Sequence, residues 1–170
     1  DSLIEQVGNI LHSSVPVGKD DSENVEIRKF GKVPEFKFPI KDHIELGESL
    51  DLFEFDVAAK NSGSRFYYLK NEAELLSMAL QRFAVDRLLT KGYALHATPI
   101  MLNKGALKGG VNLSEFEDTI YKIEDEDLYL IATSEHPLIA LKRDEMLQEK
   151  DLPLKICGIS PCFRKEIGRA

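Results

Sequence analysis

Cys162-Phe163-Arg164-Lys165-Glu166 is the segment of this sequence with the greatest chemical capability. In an extended strand Arg164 and Glu166 point the same way, roughly 6–7 Å apart. A guanidinium presents a planar fork of donors that suits a phosphate or a carboxylate. A carboxylate accepts from an amino group, adenine's exocyclic amine included. Set side by side, the two would grip both ends of one polar ligand. A plain surface ion pair on an exposed strand has the same pattern, and spacing alone favours that simpler account.

A second segment, Thr133-Ser134-Glu135-His136-Pro137, ends an apolar strand-like run and opens a helix. Thr133 and Glu135 suit a small ligand that bears an ammonium group. Ordinary helix-start chemistry explains the same residues: Ser134 or His136 as cap, Glu135 against the dipole, Pro137 in the first turn. Taken alone, that second account is favoured.

Other candidates carry less. Gly105–Gly110 is glycine-rich but lacks the Gly-Lys-Ser/Thr ending of a phosphate loop. Cys157 and Cys162 have no metal-ligand spacing and read as core thiols. His12, His43, His96 and His136 form no ligand pattern, so each reads as packing. Glu124-Asp125-Glu126-Asp127 reads as the solvated tip of a hairpin rather than a metal site. No metal-binding residues are assigned.

These segments need elements to hold them. Leu75, Leu76, Ala79, Leu80, Phe83, Leu88 and Leu89 recur at helical spacing, which predicts a helix over Glu72–Lys91, with Asn71 as cap and Gly92 as stop. A strand over Tyr93–Leu102 follows, bent or edged by Pro99. A short helix is expected near Leu113–Phe116. Ile120–Ile123 and Leu128–Ala132 form the expected hairpin. Pro137 begins a helix to about Gln148, and Pro153–Glu166 reads as a long strand. Upstream, residues 1–15 carry a helix-like run, and residues 16–40 form a connector with extended pieces at Val25–Phe30 and Glu35–Phe38. Short helices are expected around His43–Leu46 and Phe53–Lys60, a turn at Asn61–Ser64 and a strand at Arg65–Lys70. Helices and hairpins mix without βαβ regularity, so the expected class is α+β, with a mostly antiparallel sheet flanked by helices.

Composition sets the outer bounds. The 170 residues are 43% hydrophobic and 30% charged, which suits one domain able to bury most of its apolar surface. The net charge of −7 argues against a non-specific nucleic-acid coat. Acids cluster over Glu115–Asp127, whereas bases predominate over Lys155–Ala170. No run is long and apolar enough for a membrane span. Asp1–Asn9 lacks the basic start of a signal peptide, and two cysteines favour a reducing compartment, so a cytoplasmic location is expected. The strand-like run that ends abruptly at Ile167-Gly168-Arg169-Ala170 reads as a chain cut short.

Taken together, the segments resemble a class II aminoacyl-tRNA synthetase, and within that class the seryl-tRNA synthetase family. Phe163-Arg164-Lys165-Glu166 is similar to the motif 2 pattern F-R-x-E, and Thr133-Ser134-Glu135 with Pro137-Leu138 to the T-x-E loop. Asp42-His43-Ile44-Glu45-Leu46-Gly47, Gly63-Ser64-Arg65-Phe66 and Val15–Asp20 fit as well, and Asn71–Leu102 resembles motif 1. The matches keep the family's order over nearly the whole chain.

The resemblance implies a class II synthetase-like catalytic core, of which this is the N-terminal half. Residues 1–14 would be the remnant of a helical arm and linker. Residues 15–170 would be a partial catalytic domain, with motif 1 at about 71–102, the T-x-E loop at 133–135 and motif 2 at about 155–170. It implies that Arg164 binds the ATP α-phosphate and the amino-acid carboxylate, as both catalytic and nucleotide-binding residue. Glu166 would receive the adenine amine, and Thr133 and Glu135 the seryl ammonium. It implies ATP and Mg²⁺ as cofactors. Serine and tRNA(Ser) would be partners, the tRNA gripped mainly by an N-terminal arm not in this sequence. A homodimer would form through the motif 1 helix and strand, with no membrane involved. The implied activity is that of a seryl-tRNA ligase, with this segment inactive by itself. Ser134 stands where the family often has Ala, and His136 where Val is frequent. Counterparts of the motif 3 arginine and of the acid that selects the serine hydroxyl are not in the sequence. Two other readings remain: a truncated paralogue acting as a dimerising module, and a same-fold ligase that charges a carrier protein.

Overall fold

The computed structural model describes residues 7–8, 10–111 and 117–165. The chain divides into two compact units, Asp1–Asp42 and His43–Ala170.

The first unit is a connector. Among its described residues the one regular element is a turn of 3-10 helix at Asp21–Glu23, capped by Asp20, whose carboxylate accepts from the Ser22 hydroxyl and the Ser22 N–H. Those bonds hold the Asp20 carboxyl below its ordinary range. The expected helix over 1–15 is not borne out where residues are described: Val7, Gly8 and residues 10–15 form none. Pro16 disfavours helix before it, and Val7, Ile10 and Leu11 are exposed, with no packed face to stabilise a short helix. Val25–Phe30 and Glu35–Phe38 pair with no strand among the described residues.

The second unit begins with α1 (His43–Ser49), β1 (Phe53–Glu54), α2 (Phe55–Ser62) and β2 (Tyr68–Leu69). β1 and β2 are antiparallel, Phe53 opposite Leu69. Gly47 is buried under the Phe53 ring, so closely that a methyl group there would overlap it. The 20-residue helix α3 (Asn71–Thr90) follows. Asn71 does not cap it. Lys70 takes the cap position in extended backbone, its ammonium held by Asp51 and Glu54, and Asn71 enters the helix at φ +48°. Gly92, at φ +79°, closes the other end: its N–H donates to Leu89 O (3.0 Å), and that of Tyr93 to Leu88 O (3.2 Å).

The strand expected over Tyr93–Leu102 is broken in two, β3 (Ala94–Ala97) and β4 (Met101–Leu102). Pro99 falls in the gap, where it has no N–H to give to a ladder. Asn103 then caps an unforeseen short helix, α4 (Lys104–Leu107), accepting from Ala106 N–H at 2.9 Å. The helix expected near Leu113–Phe116 lies outside the described residues. β5 (Tyr129–Leu130) pairs antiparallel with β4, and Ile123 N–H to Leu128 O (2.9 Å) closes the expected hairpin.

α5 (Glu135–Ala140) stops well short of Gln148. Asp144 turns into the left-handed region at φ +62°, and the charged run Lys142–Glu145 has no apolar face to bury. β6 (Ile156–Ile159) is likewise shorter than expected, because Ser160-Pro161 interrupts it. It pairs in parallel with β3, Ala94 opposite Ile156. Among the described residues two of the three strand pairs are therefore antiparallel, and the α+β layout is a mixed sheet arrangement with flanking helices.

Leu107, Ile120 and Tyr129 form the core with Leu102, Val111 and Ala132 packed around them, and Ile131 is fully buried. Among the described residues only Ala58 joins these as a buried hydrophobic, so the expectation of a largely buried apolar surface fails. On α3, Leu76, Leu80 and Phe83 are exposed on one face. The cysteines are also not the core thiols expected: Cys157 is half-buried and Cys162 exposed, beyond the end of β6. Among the described residues no helix is long and apolar enough to cross a membrane.

Candidate active site

Ile131 anchors the site from below. It is fully buried, and its N–H donates to Ile100 O (2.9 Å), which extends the β4–β5 pairing to the edge of the Thr133 loop. On the other side the carbonyl of Ile131 accepts from Phe163 N–H at 2.8 Å, and that of Thr119 from Lys165 N–H at 2.8 Å. Arg164 thus lies on an extended segment past β6, rather than within one long strand. Its exposed side chain folds back, and Nε donates to Ala132 O at 3.1 Å. That bond joins the two segments singled out by their chemistry, one residue before Thr133. Glu166 lies outside the described residues.

The Thr133 loop is organised by its own hydrogen bonds. Thr133 Oγ1 accepts from Glu135 N–H (3.3 Å), and Thr133 O accepts from His136 N–H (3.3 Å). Thr133 therefore performs the helix-start chemistry expected of Ser134 or His136. Ser134 makes no capping bond; its hydroxyl is 2.8 Å from that of Ser160. Glu135 is exposed, with its carboxylate in the first turn of α5.

His136 is the buried polar group of the site, 6% exposed, and its Nδ1 has no hydrogen-bond partner. Burial pushes its imidazole below the usual range; Glu135 acts against that shift, and the Arg164 guanidinium adds to it. Sequence reasoning treated this histidine as packing or a cap, and packing is what the structure has. Ser160 was missed, since a serine four residues before Arg164 carries no recognisable signal by itself. Among the described residues no group of three or more His, Cys, Asp or Glu is placed to hold a metal ion.

The arrangement sets a cation beside a loop that ends in an exposed carboxylate. It can take a ligand that is anionic at one end and cationic at the other.

A family profile described as tRNA synthetase class II core domain (G, H, P, S and T) matches residues 119–170, the stretch that holds both segments of the site. The fold is that of a class II aminoacyl-tRNA synthetase core. The serine–tRNA ligase of Nitrosopumilus maritimus is 50% identical over 162 residues, which covers 95% of this chain and 38% of that protein. The crystal structure of seryl-tRNA synthetase from Pyrococcus horikoshii complexed with ATP superposes with a TM-score of 0.94 at 45% identity, covering 99% of this chain and 42% of that one. The cytoplasmic serine–tRNA ligase from Naegleria fowleri in complex with AMP gives a TM-score of 0.88 at 35% identity, covering 98% and 40%. The chain belongs to the seryl-tRNA synthetase family and corresponds to part of its class II catalytic domain. It spans about two fifths of the length of these relatives.

Proposed function

We propose that this chain is the part of a seryl-tRNA ligase that activates serine with ATP, the seryl group then passing to tRNA(Ser). The observation that carries this is the Arg164–Ala132 bond, which brings the motif 2 arginine to the T-x-E loop. The carboxylate oxygen of serine attacks the α-phosphorus of ATP. A P–O bond forms, the bond to the bridging oxygen breaks, and pyrophosphate leaves. With Nε committed to Ala132, the terminal amino groups of Arg164 face the α-phosphate and the serine carboxylate. They steady the charge that builds on the equatorial oxygens. Glu135 and Thr133 receive the substrate ammonium and hold serine in line for attack. Glu166 accepts from the adenine amine. The ATP and AMP held by the two structural relatives support the nucleotide half of this reading.

Mg²⁺ would neutralise the leaving phosphates. The described residues do not form a metal site among themselves, so no step here runs through it.

Residues 15–170 are read as catalytic domain and residues 1–14 as the end of an arm that reaches tRNA. The exposed stripe Leu76, Leu80 and Phe83 on α3, with β3, is read as the contact between two copies of the protein.

The experiment is ATP–pyrophosphate exchange by the complete protein, offered each amino acid in turn. Exchange supported by serine alone is expected. Exchange with another amino acid and none with serine would overturn the assignment.

A further inference from the structure

We propose that Ser134 and Ser160 are positioning residues, a hydroxyl pair that fixes the ammonium-binding loop against the strand leading to Arg164. This rests on the function proposed above and adds to it a tie made by this chain's own residues.

Ser134 lies between Thr133 and Glu135, so its backbone cannot move without moving both. Its hydroxyl meets that of Ser160 at 2.8 Å in a half-buried setting. Ser160 follows β6 directly and stands four residues before Arg164. The same two segments meet at Phe163 N–H to Ile131 O (2.8 Å) and Arg164 Nε to Ala132 O (3.1 Å). Those two bonds hold the near end of the loop, at residues 131 and 132. Among the described residues, the serine pair is the hydrogen bond between these segments that reaches past Thr133 to the part of the loop beside Glu135.

Gly158 shows how closely the surfaces approach. A Cβ there would stand 3.1 Å from Thr98 Cγ2, 3.2 Å from Leu138 Cδ1 and 3.4 Å from Ser134 Cβ. The missing side chain lets the Ser134 loop settle onto β6 near enough for the hydroxyls to bond. Ser134 also declines the capping role open to it at the start of α5, since its side chain makes no cap bond. A serine at that position is ordinarily spent on the helix N-terminus; here it is spent across the site.

The loop orients serine, and the Arg164 segment orients the α-phosphate. The bonds of Phe163 and Arg164 to residues 131 and 132 still hold the Arg164 segment when the serine pair is lost, whereas the loop between Thr133 and Glu135 loses its tie, so the loss reads out on serine and not on ATP.

The test uses the complete protein with S134A, S160A, the double variant and S160T. Both alanine variants are expected to raise the serine KM about fivefold to tenfold, as for one lost hydrogen bond, with the ATP KM unchanged. The double variant is expected to be no worse than either single one, because the two act as a unit. S160T, which keeps the hydroxyl, is expected to restore most of the loss. In S160A the amides of Glu135 and His136 are expected to exchange hydrogen faster than in the unsubstituted protein.

An unchanged serine KM, additive singles, an equal rise in both KM values or a failed S160T rescue would each overturn the proposal. If the unsubstituted protein shows no serine-dependent exchange, it is the proposed function that fails. The amide protection still decides the tie, and protection unaltered in S160A overturns it whatever reaction the protein performs.

Discussion

Replacing Arg164 probes the site at its centre. Arg164 is exposed, and its one described bond is Nε to Ala132 O at 3.1 Å. Arg164→Ala should therefore leave the fold stable to within about 1 kcal/mol, as for a surface substitution. Adenylate formation should suffer far more, because on the proposed function the lost cation faces charge that develops only in the transition state. Removing one such contact costs roughly 3 kcal/mol, or about 150-fold in rate. Arg164→Lys separates charge from geometry. A lysine keeps the charge but has one ammonium in place of a fork, so it cannot bond Ala132 O and also clamp a phosphate on two sides. It should recover only part of the loss and remain about tenfold below the unsubstituted protein. Single-turnover quench measurements of adenylate, at saturating ATP and serine, report the step itself. Alanine within a few fold of the unsubstituted protein, or lysine equal to arginine, would refute the reasoning.

Four further outcomes are expected. Glu135→Ala should lower kcat/KM for serine by about 10- to 150-fold, as for a charge-assisted bond of roughly 1.5–3 kcal/mol, with the ATP KM unchanged in pyrophosphate exchange. Ile131→Ala empties a fully buried position beneath the loop and should reduce stability by about 2–5 kcal/mol in urea denaturation. His136 has a folded pKa below its ordinary value of 6.5, so the folded state binds fewer protons than the unfolded one. Its penalty is absent above that value and grows as pH falls through it towards the folded pKa; His136→Val should flatten stability against pH over that window. Phe83→Glu with Leu76→Glu places charges on the exposed face of α3 and should shift the complete protein from dimer to monomer in light scattering.

The elements that sequence reasoning placed well are those whose pattern is local. α3 was legible because seven apolar residues recur at helical spacing and a glycine follows them. The hairpin at Ile120–Ala132 was legible because two apolar runs flank four acids. The elements it misjudged depend on partners far away in the chain. β6 read as one strand to residue 166 because the residues are apolar, yet its ladder ends at Ile159, opposite Ala97, where β3 runs out before Pro99. α5 was drawn too long because nothing in Leu141–Gln148 says that Asp144 will turn left-handed. Asn71 looked like a cap, but the chain enters α3 through Lys70, fixed by Asp51 and Glu54 from 19 and 16 residues upstream.

The site divides in the same way. Arg164, Thr133 and Glu135 stood out by residue type and by their match to family motifs. Their spacing alone favoured plainer accounts, a surface pair and a helix start. What the structure adds is contact between segments about 30 residues apart, through Ala132 and through the serine hydroxyls. Pairings of that kind leave no periodicity in the sequence. Ser160 was overlooked for that reason, and His136 gained its meaning only once its burial was known.

The central claim is that Thr133, Glu135 and Arg164 serve one ligand, an amino acid joined to a nucleotide phosphate. A crystal structure of the complete protein with a non-hydrolysable seryl-adenylate analogue tests it directly. The account predicts the analogue's ammonium within hydrogen-bonding distance of Thr133 and Glu135, and the group replacing its α-phosphate against the terminal nitrogens of Arg164. An analogue bound elsewhere, or bound here with its ammonium turned away from Glu135, would contradict it.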